Sequence, residues 1–417
     1  MEIKRDKYLN NLVVRMHNGL IKVVTGIRRC GKSYLVFKLF RQYLREHGVQ
    51  DDHVIAVQLD LRSARKLRDP DAMIEYVNKR VTDSGRYYVL LDEVQLLPDF
   101  VEVLNEFLAD SRLDVYVTGS NSRFLSKDII TEFRGRGDEV HMLPLTFAEF
   151  MQTRVDDAAH AWADYVEYGG LPLVVTMKTE EQKAAYLSNL FEETYLKDIV
   201  ERNGLRKTQE LEDLINVLAS SVGSLTNAPK IQATFKSVLH SDISTNTIRH
   251  YINCLEDAFM VSETRRYDIK GRRYIGAPCK YYFEDVGLRN ARLNFRQVEE
   301  THLMENVIYN ELRARGLSVD VGEVSGRKVD ASGRKTTSTL EVDFVANQGG
   351  KRFYIQSAYA LPDAAKREQE TASLLRIGDS FKKIVVVKDV VNTTRDDNGI
   401  VTMGLFDFLL DPSSLDR

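Results

Sequence analysis

Residues 23–33 read Val23-Val24-Thr25-Gly26-Ile27-Arg28-Arg29-Cys30-Gly31-Lys32-Ser33. They fit G-x-x-x-x-G-K-[ST], the phosphate-binding loop. An apolar run (Leu20, Ile21, Val23, Val24) predicts a strand entering the loop, and Tyr34 to Tyr43 predicts a helix leaving it. A glycine-rich turn between strand and helix aims backbone N–H groups at phosphate oxygens, at the positive end of the helix dipole. Gly26, Ile27, Arg28, Arg29, Cys30, Gly31, Lys32, Ser33 and Tyr34 are therefore the candidate nucleotide-binding residues. Lys32 would reach the β- and γ-phosphates of ATP, and the Ser33 hydroxyl would ligate Mg²⁺.

Composition bounds the rest. The chain has 417 residues, 43% hydrophobic and 29% charged, with a formal net charge of −3. That length suits two to four globular domains. There is no run of about 18 apolar residues, so no transmembrane helix is expected. The N-terminal stretch lacks the apolar core of a signal peptide. Cys30, Cys254 and Cys279 are far apart and form no C-x-x-C pair. This excludes a disulfide framework and a cysteine zinc site, and points to a reducing, cytoplasmic compartment.

Tyr87-Tyr88-Val89-Leu90-Leu91-Asp92-Glu93 is an apolar run ending in two acids, the form of a buried parallel strand with a carboxylate at its tip. Asp92 would hold Mg²⁺, and Glu93 would polarise the attacking water as general base. Gln95 follows on the same loop and could help orient the site. Leu113 to Ser122 predicts another core strand whose polar tip could sense the γ-phosphate through Asn121 or Ser120, or could cap a turn. Phe133-Arg134-Gly135-Arg136-Gly137 offers two arginines on one loop. In a ring, Arg136, or second Arg134, could reach the nucleotide of a neighbouring subunit; a solvated basic loop is the alternative. With Val54 to Asp60 as a further strand, the region predicts a parallel sheet with helices on both faces.

Residues 146–204 read as a helical lid punctuated by Tyr168-Gly169-Gly170-Leu171-Pro172. Residues 205–296 read as a winged helix: helical spacing over Leu211 to Ala219, a helix–turn–helix through Leu255, then a two-stranded wing. Ile248, Tyr251, Ile252 and Leu255 form the expected buried stripe, with Arg249 outward. Between Glu263 and Arg296 nine Lys/Arg face four acids, a local charge of +5. This predicts backbone contacts to DNA through Arg249, Arg265, Arg266, Lys270, Arg272 and Arg273; a solvated face used for protein packing is the alternative.

The order of elements after residue 297 resembles the PD-(D/E)xK nuclease fold. An amphipathic helix (Glu305 to Leu312) leads to a short strand (317–321), a polar insertion (325–339), strands through Asp343 and Gln356, and a last core strand at 383–387. The resemblance implies a metal site at Glu305, Asp343 and Gln356, but its lysine position holds Ala358. The lysine would orient water and stabilise charge at the scissile phosphate. A retired nuclease core is the expectation.

The whole chain resembles the bacterial and archaeal AAA+ P-loop ATPases that carry a C-terminal domain of unknown function. The motifs GIRRCGKS, VLLDEVQ, VTGSNS, GRGDEVHMLPLTFAEF, YGGLP, ENVIYNEL, EVDFVA and YIQSAY carry that resemblance. It implies an α/β fold: a P-loop parallel-sheet core (1–145), helical lid (146–204), winged helix (205–296) and nuclease-like α/β domain (297–417). It also implies ATP hydrolysis and a homo-oligomer, expected to be a ring. The expected function is a DNA-associated motor or remodeller acting on duplex or branched DNA. The alternatives are a nucleotide-dependent switch that assembles a protein complex, and an ATP-dependent nuclease.

Overall fold

The computed structural model describes residues 3–119, 135–329, 335–388 and 392–417. They form two compact units: Met1–Pro144 with Asp257–Phe259, and Leu145–Glu256 with Met260–Arg417.

The first unit is built on a five-stranded parallel sheet of β1 (Ile21–Thr25), β2 (Val54–Gln58), β3 (Tyr87–Asp92), β4 (Leu113–Thr118) and β5 (Gly137–His141), in the order β2-β3-β4-β1-β5. β1, β3 and β4 are buried at every residue, as apolar strands covered on both faces must be. One face packs Val23, Val57, Val89, Leu91 and Val117 against Val103, Leu104 and Phe107 of the helix Phe100–Ala109. On the helix that leaves the phosphate loop, Phe40 meets the rings of Tyr116 at 4.5 Å and Tyr88 at 6.3 Å. Lys22, buried inside β1, pairs with Asp114 of β4, which accounts for a charged residue in a buried strand. β5 was not foreseen, because its sequence Gly-Asp-Glu-Val-His lacks an apolar run; it is a strand because it pairs along the whole of β1.

The second unit begins with helices, among them Ala158–Tyr168, Glu180–Leu190 and Lys197–Asn203. Gly287 packs directly on the Tyr168-Gly169-Gly170 turn. A Cβ on Gly287 would meet the Tyr168 carbonyl at 2.1 Å, so the two backbones touch there. Asp285 clamps the junction, accepting from Gly170 N and Leu288 N, each at 2.9 Å. Three helices follow: α1 (Thr208–Ser220), α2 (Ala228–Ser237) and α3 (Thr245–Asp257). On α3, Ile248, Tyr251, Ile252 and Leu255 are buried and Arg249 is exposed, matching the predicted stripe.

An eight-stranded sheet completes this unit. Its strands are β6 (Val261–Asp268), β7 (Arg273–Phe283), β8 (Ser318–Val329), β9 (Lys335–Gln348), β10 (Lys351–Ala358), β11 (Lys382–Val387), β12 (Thr394–Arg395) and β13 (Ile400–Gly404). The order is β12-β13-β11-β10-β9-β8-β6-β7. The expected wing, β6–β7, is thus no free hairpin: Arg266 to Asp268 pairs in parallel with Val321 to Glu323 of β8. The division at 296/297 runs through this sheet. Two further corrections concern strands. Much of the supposed polar insertion is paired backbone, since β8 and β9 stay in register from Gly326/Ser338 to Val329/Lys335. The last core strand is β13, docked in parallel on β11. One sheet face carries α4 (Glu300–Ala314) and the other α5 (Ala364–Leu375), whose Leu374 joins a core of Val342, Tyr354, Ala358 and Val385. Tyr309 of α4 stacks on Tyr282 at 4.3 Å and lies 6.5 Å from Phe344.

Candidate functional site

The phosphate loop lies between β1 and a helix that runs through Lys32–Tyr34, Leu35–Phe40 and Arg41–Glu46. Gly26 has φ +132°, and a Cβ there would meet the Met142 carbonyl at 2.0 Å, so this position requires glycine. Ile27 and Cys30 turn their side chains inward, at 1% and 0% exposure, leaving the loop backbone to face a ligand. Lys32 is buried and donates to the carbonyls of Gly26 (2.8 Å) and Ile27 (2.9 Å), which curls the loop around its ammonium.

The tips of β3 and β4 meet the loop. Ser33 Oγ donates to Asp92 Oδ1 at 3.0 Å, and Thr118 Oγ1 donates to the same oxygen. Asp92 is buried, and burial raises its pKa against the two hydroxyls, which lower it. A buried carboxylate beside a serine hydroxyl is the donor set a hard divalent cation takes, and the cation's charge would offset the desolvation. Glu93 follows in a left-handed conformation (φ 50°), with its N–H donating to Thr118 Oγ1 at 3.3 Å. Its carboxylate accepts from Gln95 Nε2, while Gln95 Oε1 is buried with no hydrogen-bond partner among the described residues.

Two residues of this site escaped the sequence reading. Thr118 sits three positions before Asn121 and two before Ser120, the expected sensors; its strand-end position after an apolar run was the available signal. Arg5 is 3% exposed and donates to the Cys30 carbonyl at 3.2 Å and the Leu143 carbonyl at 2.7 Å, tying the loop to the chain after β5. Nothing in its local sequence marks it. Ser120, Asn121 and Arg134 lie outside the described residues. Arg136 precedes β5, accepts from Ile21 N at 2.8 Å through its carbonyl, and donates to Asn105 at 2.9 Å. It therefore stands at the start of β1, whereas the phosphate loop follows the strand's end. Five residues of strand separate the two, roughly 16 Å, so Arg136 cannot reach its own nucleotide.

Glu305 and Asp343 meet on the α4 face of the large sheet, and Gln356 reaches the Asp343 backbone. Ser357 N donates to Asp343 at 2.8 Å, Gln356 Oε1 lies 3.4 Å from Asp343 N, and Tyr282 OH donates to Glu305 at 2.6 Å. Ala358 is 2% exposed and belongs to the apolar core under α5, so a lysine there would be buried among aliphatic side chains. An ammonium arrives instead from β7. Lys280, 3% exposed, lies 2.8 Å from Glu305, 2.6 Å from Glu341 and 3.5 Å from Asp343. Burial alone would lower its pKa; the three carboxylates outweigh that and hold it charged. Burial and the neighbouring Glu305 push Asp343 up to about 7, against the pull of Lys280. No local motif marks Lys280 or Glu341.

This corrects the basic footprint counted between Glu263 and Arg296. Lys280 and Arg289 are buried, and Arg292 is enclosed by Glu192 and Glu212. Arg266 is bound to Glu323 on the neighbouring strand. It is a sheet cross-link, not a surface cation. Arg265 (64% exposed) and Arg273 (78%) stay open beside Glu263 and Asp268, and Lys270 and Arg272 are exposed at the hairpin turn.

A parallel sheet with a phosphate loop after β1, a Ser33–Asp92 pair and a carboxylate following β3 defines a P-loop ATPase of the AAA+ superfamily. Residues 18–151 match a family described as an AAA domain, and residues 159–299 match a domain of unknown function (DUF8612). An uncharacterized protein of Haemophilus influenzae is 31% identical over 98% of both chains. The chain belongs to the same family as this protein. The uncharacterized protein MJ1544 of Methanocaldococcus jannaschii is 24% identical over 88% of this chain and 81% of its own. The Walker-type ATPase PABY2304 of Pyrococcus abyssi shares the fold, with a TM-score of 0.51 at 14% identity over 70% of this chain and 96% of that one. Among the described residues no helix is long and apolar enough to cross a membrane.

Proposed function

We propose that the protein hydrolyses ATP with Mg²⁺ and couples turnover to work on DNA as a ring-forming motor or remodeller. The observation that carries the ATPase reading is the meeting of Lys32, Ser33, Asp92, Glu93 and Thr118 at one end of the sheet. Lys32 and the loop N–H groups would take the phosphates, and Ser33 and Asp92 would take Mg²⁺. Glu93 would accept a proton from the attacking water, with Gln95 Oε1 available to orient it. Arg136 would complete the site of a neighbouring subunit, stabilising charge on the transferred phosphoryl group. The DNA reading is supported by Arg249, Arg265, Lys270, Arg272 and Arg273, exposed cations that suit backbone contacts. ATP turnover with and without linear, single-stranded and branched DNA, beside Lys32→Ala, tests it. Stimulation by DNA that vanishes in the variant supports the motor. Turnover indifferent to every DNA favours a switch that assembles a protein complex.

A second reading of the nuclease-like region has one observation in its favour: Lys280 brings Glu305 and Asp343 the ammonium that position 358 lacks. Three carboxylates hold that ammonium against themselves, so we assign the cluster a structural role. Mg²⁺-dependent nicking of supercoiled plasmid, lost in Lys280→Met, would install the nuclease instead.

A further inference from the structure

On the α5 side of the large sheet, away from the Lys280 cluster, lies an open cleft of 560 Å³. Its floor is apolar, made by Ile269 and Ile377 of the core. Arg352 stands over this floor between two rings, 5.4 Å from the centre of Tyr267 and 5.3 Å from that of Phe381. Its Nε donates to Asn347 at 2.8 Å, which fixes the guanidinium plane. Phe381 is 39% exposed, and Tyr274, edge-on to Tyr267 at 5.5 Å, is 61% exposed. Tyr274 OH donates to Asp320 at 3.2 Å, so the ring is tethered although it faces solvent.

The charge is one-sided. Lys270 and Arg272 line the cleft with Arg352, and none of the three is ion-paired to a carboxylate among the described residues. The carboxylate in the lining is Asp379. It already accepts from Tyr354 OH at 2.6 Å and from Phe381 N at 3.2 Å.

Cations that attract phosphates, interleaved with exposed and tethered rings, are what an unpaired strand needs. Its charge follows the cations, and its bases stack on aromatic or guanidinium faces without being read by sequence. A duplex keeps its bases stacked inside and offers the rings nothing. We infer that this cleft binds single-stranded nucleic acid, with Phe381 in the cleft and Tyr274 beside it as stacking platforms and Lys270, Arg272 and Arg352 as backbone contacts. This rests on the DNA-associated reading and narrows it to a strand already opened.

The test uses the full chain and three fluorescein-labelled 20-mers: single-stranded DNA, single-stranded RNA of the same sequence, and duplex DNA. Anisotropy titrations over a salt series compare the wild type with Tyr274→Leu/Phe381→Leu and with Arg272→Ala. Leucine keeps the apolar bulk and removes the π face, and an unchanged unfolding midpoint verifies the fold. The double variant should bind the single strands about 10- to 100-fold more weakly, with its salt slope and duplex binding unchanged. Arg272→Ala should reduce the salt slope by about one. Stronger binding of DNA than of RNA, or the reverse, assigns the natural strand. A double variant that binds single strands like the wild type, or loses duplex equally, overturns the inference. Duplex binding without single-strand binding sinks the cleft alone, whereas no binding to any oligonucleotide sinks the DNA-associated reading with it.

Discussion

Replacing Lys280 by methionine should destabilise the second unit, and by an amount that depends on pH. The side chain is 3% exposed, and its ammonium serves Glu305, Glu341 and Asp343 together. Methionine fills nearly the same volume, so the change removes charge without opening a cavity. Three carboxylates then face one another, two of them only 12% and 10% exposed. Removing one partner of a buried ion pair costs about 3–5 kcal/mol. For a unit of this size that is a fall in Tm of about 6–20 °C. The sign of the pH dependence follows from Asp343, whose pKa is already pushed up to about 7. Without the ammonium it rises further, so lowering the pH lets the carboxyls take up protons and relieves the repulsion. The loss should therefore be full above that raised pKa and shrink as the pH falls toward 7. Calorimetric scans of both proteins at pH 8 and pH 5.5 measure it. A Tm change near zero at pH 8, or a larger loss at pH 5.5 than at pH 8, would refute the account of Lys280 as the charge that holds this cluster.

Glu93→Gln should lower ATP turnover about 100- to 10,000-fold while leaving nucleotide binding intact, as single-turnover and equilibrium-binding measurements can separate. Arg5→Ala removes charge-assisted hydrogen bonds to the loop carbonyl of Cys30 and to the β5-exit carbonyls of Leu143 and Pro144. The loosened loop should raise KM for ATP about tenfold, at about 1.4 kcal/mol, with a smaller change in kcat. If Arg136 acts across a subunit interface, mixing inactive Arg136→Ala with inactive Lys32→Ala should restore turnover in mixed rings; a mixture as dead as its parts would count against it. Asp285 is buried and pushed up to about 6 by desolvation, against its backbone hydrogen bonds. The folded state therefore binds its proton more tightly than the unfolded chain does. Its contribution is full below pH 4 and is lost as the pH rises through about 6, by about 3 kcal/mol. Asp285→Asn should flatten that part of the stability–pH curve while costing about 1–3 kcal/mol at neutral pH, where the amide presents a donor to one backbone N–H.

The candidate nucleotide site was legible because its parts are contiguous. Gly26 to Ser33 carries turn, ammonium and hydroxyl within eight residues, and Asp92 and Glu93 end an apolar run that can only be a buried strand. The periodicity of Ile248, Tyr251, Ile252 and Leu255 likewise marked the buried side of α3 without any tertiary information. Local pattern suffices where hydrogen bonds and burial are decided within one element. β5 has no such pattern; pairing with β1 makes it a strand. Arg5 lies 25 residues from the carbonyl it holds. Lys280 lies 25 residues from Glu305 and more than 60 from Asp343, and only the sheet order β9-β8-β6-β7, with α4 laid across it, brings them together. The same order turned Arg266 from a surface cation into a cross-link and buried Arg289 and Lys280, because charge counted along a chain carries no record of which strand will lie alongside it. Chemical groups and local geometry were set by the sequence alone. Which charges meet, which stay exposed and which rings flank Arg352 depended on long-range pairing that only the folded chain supplies.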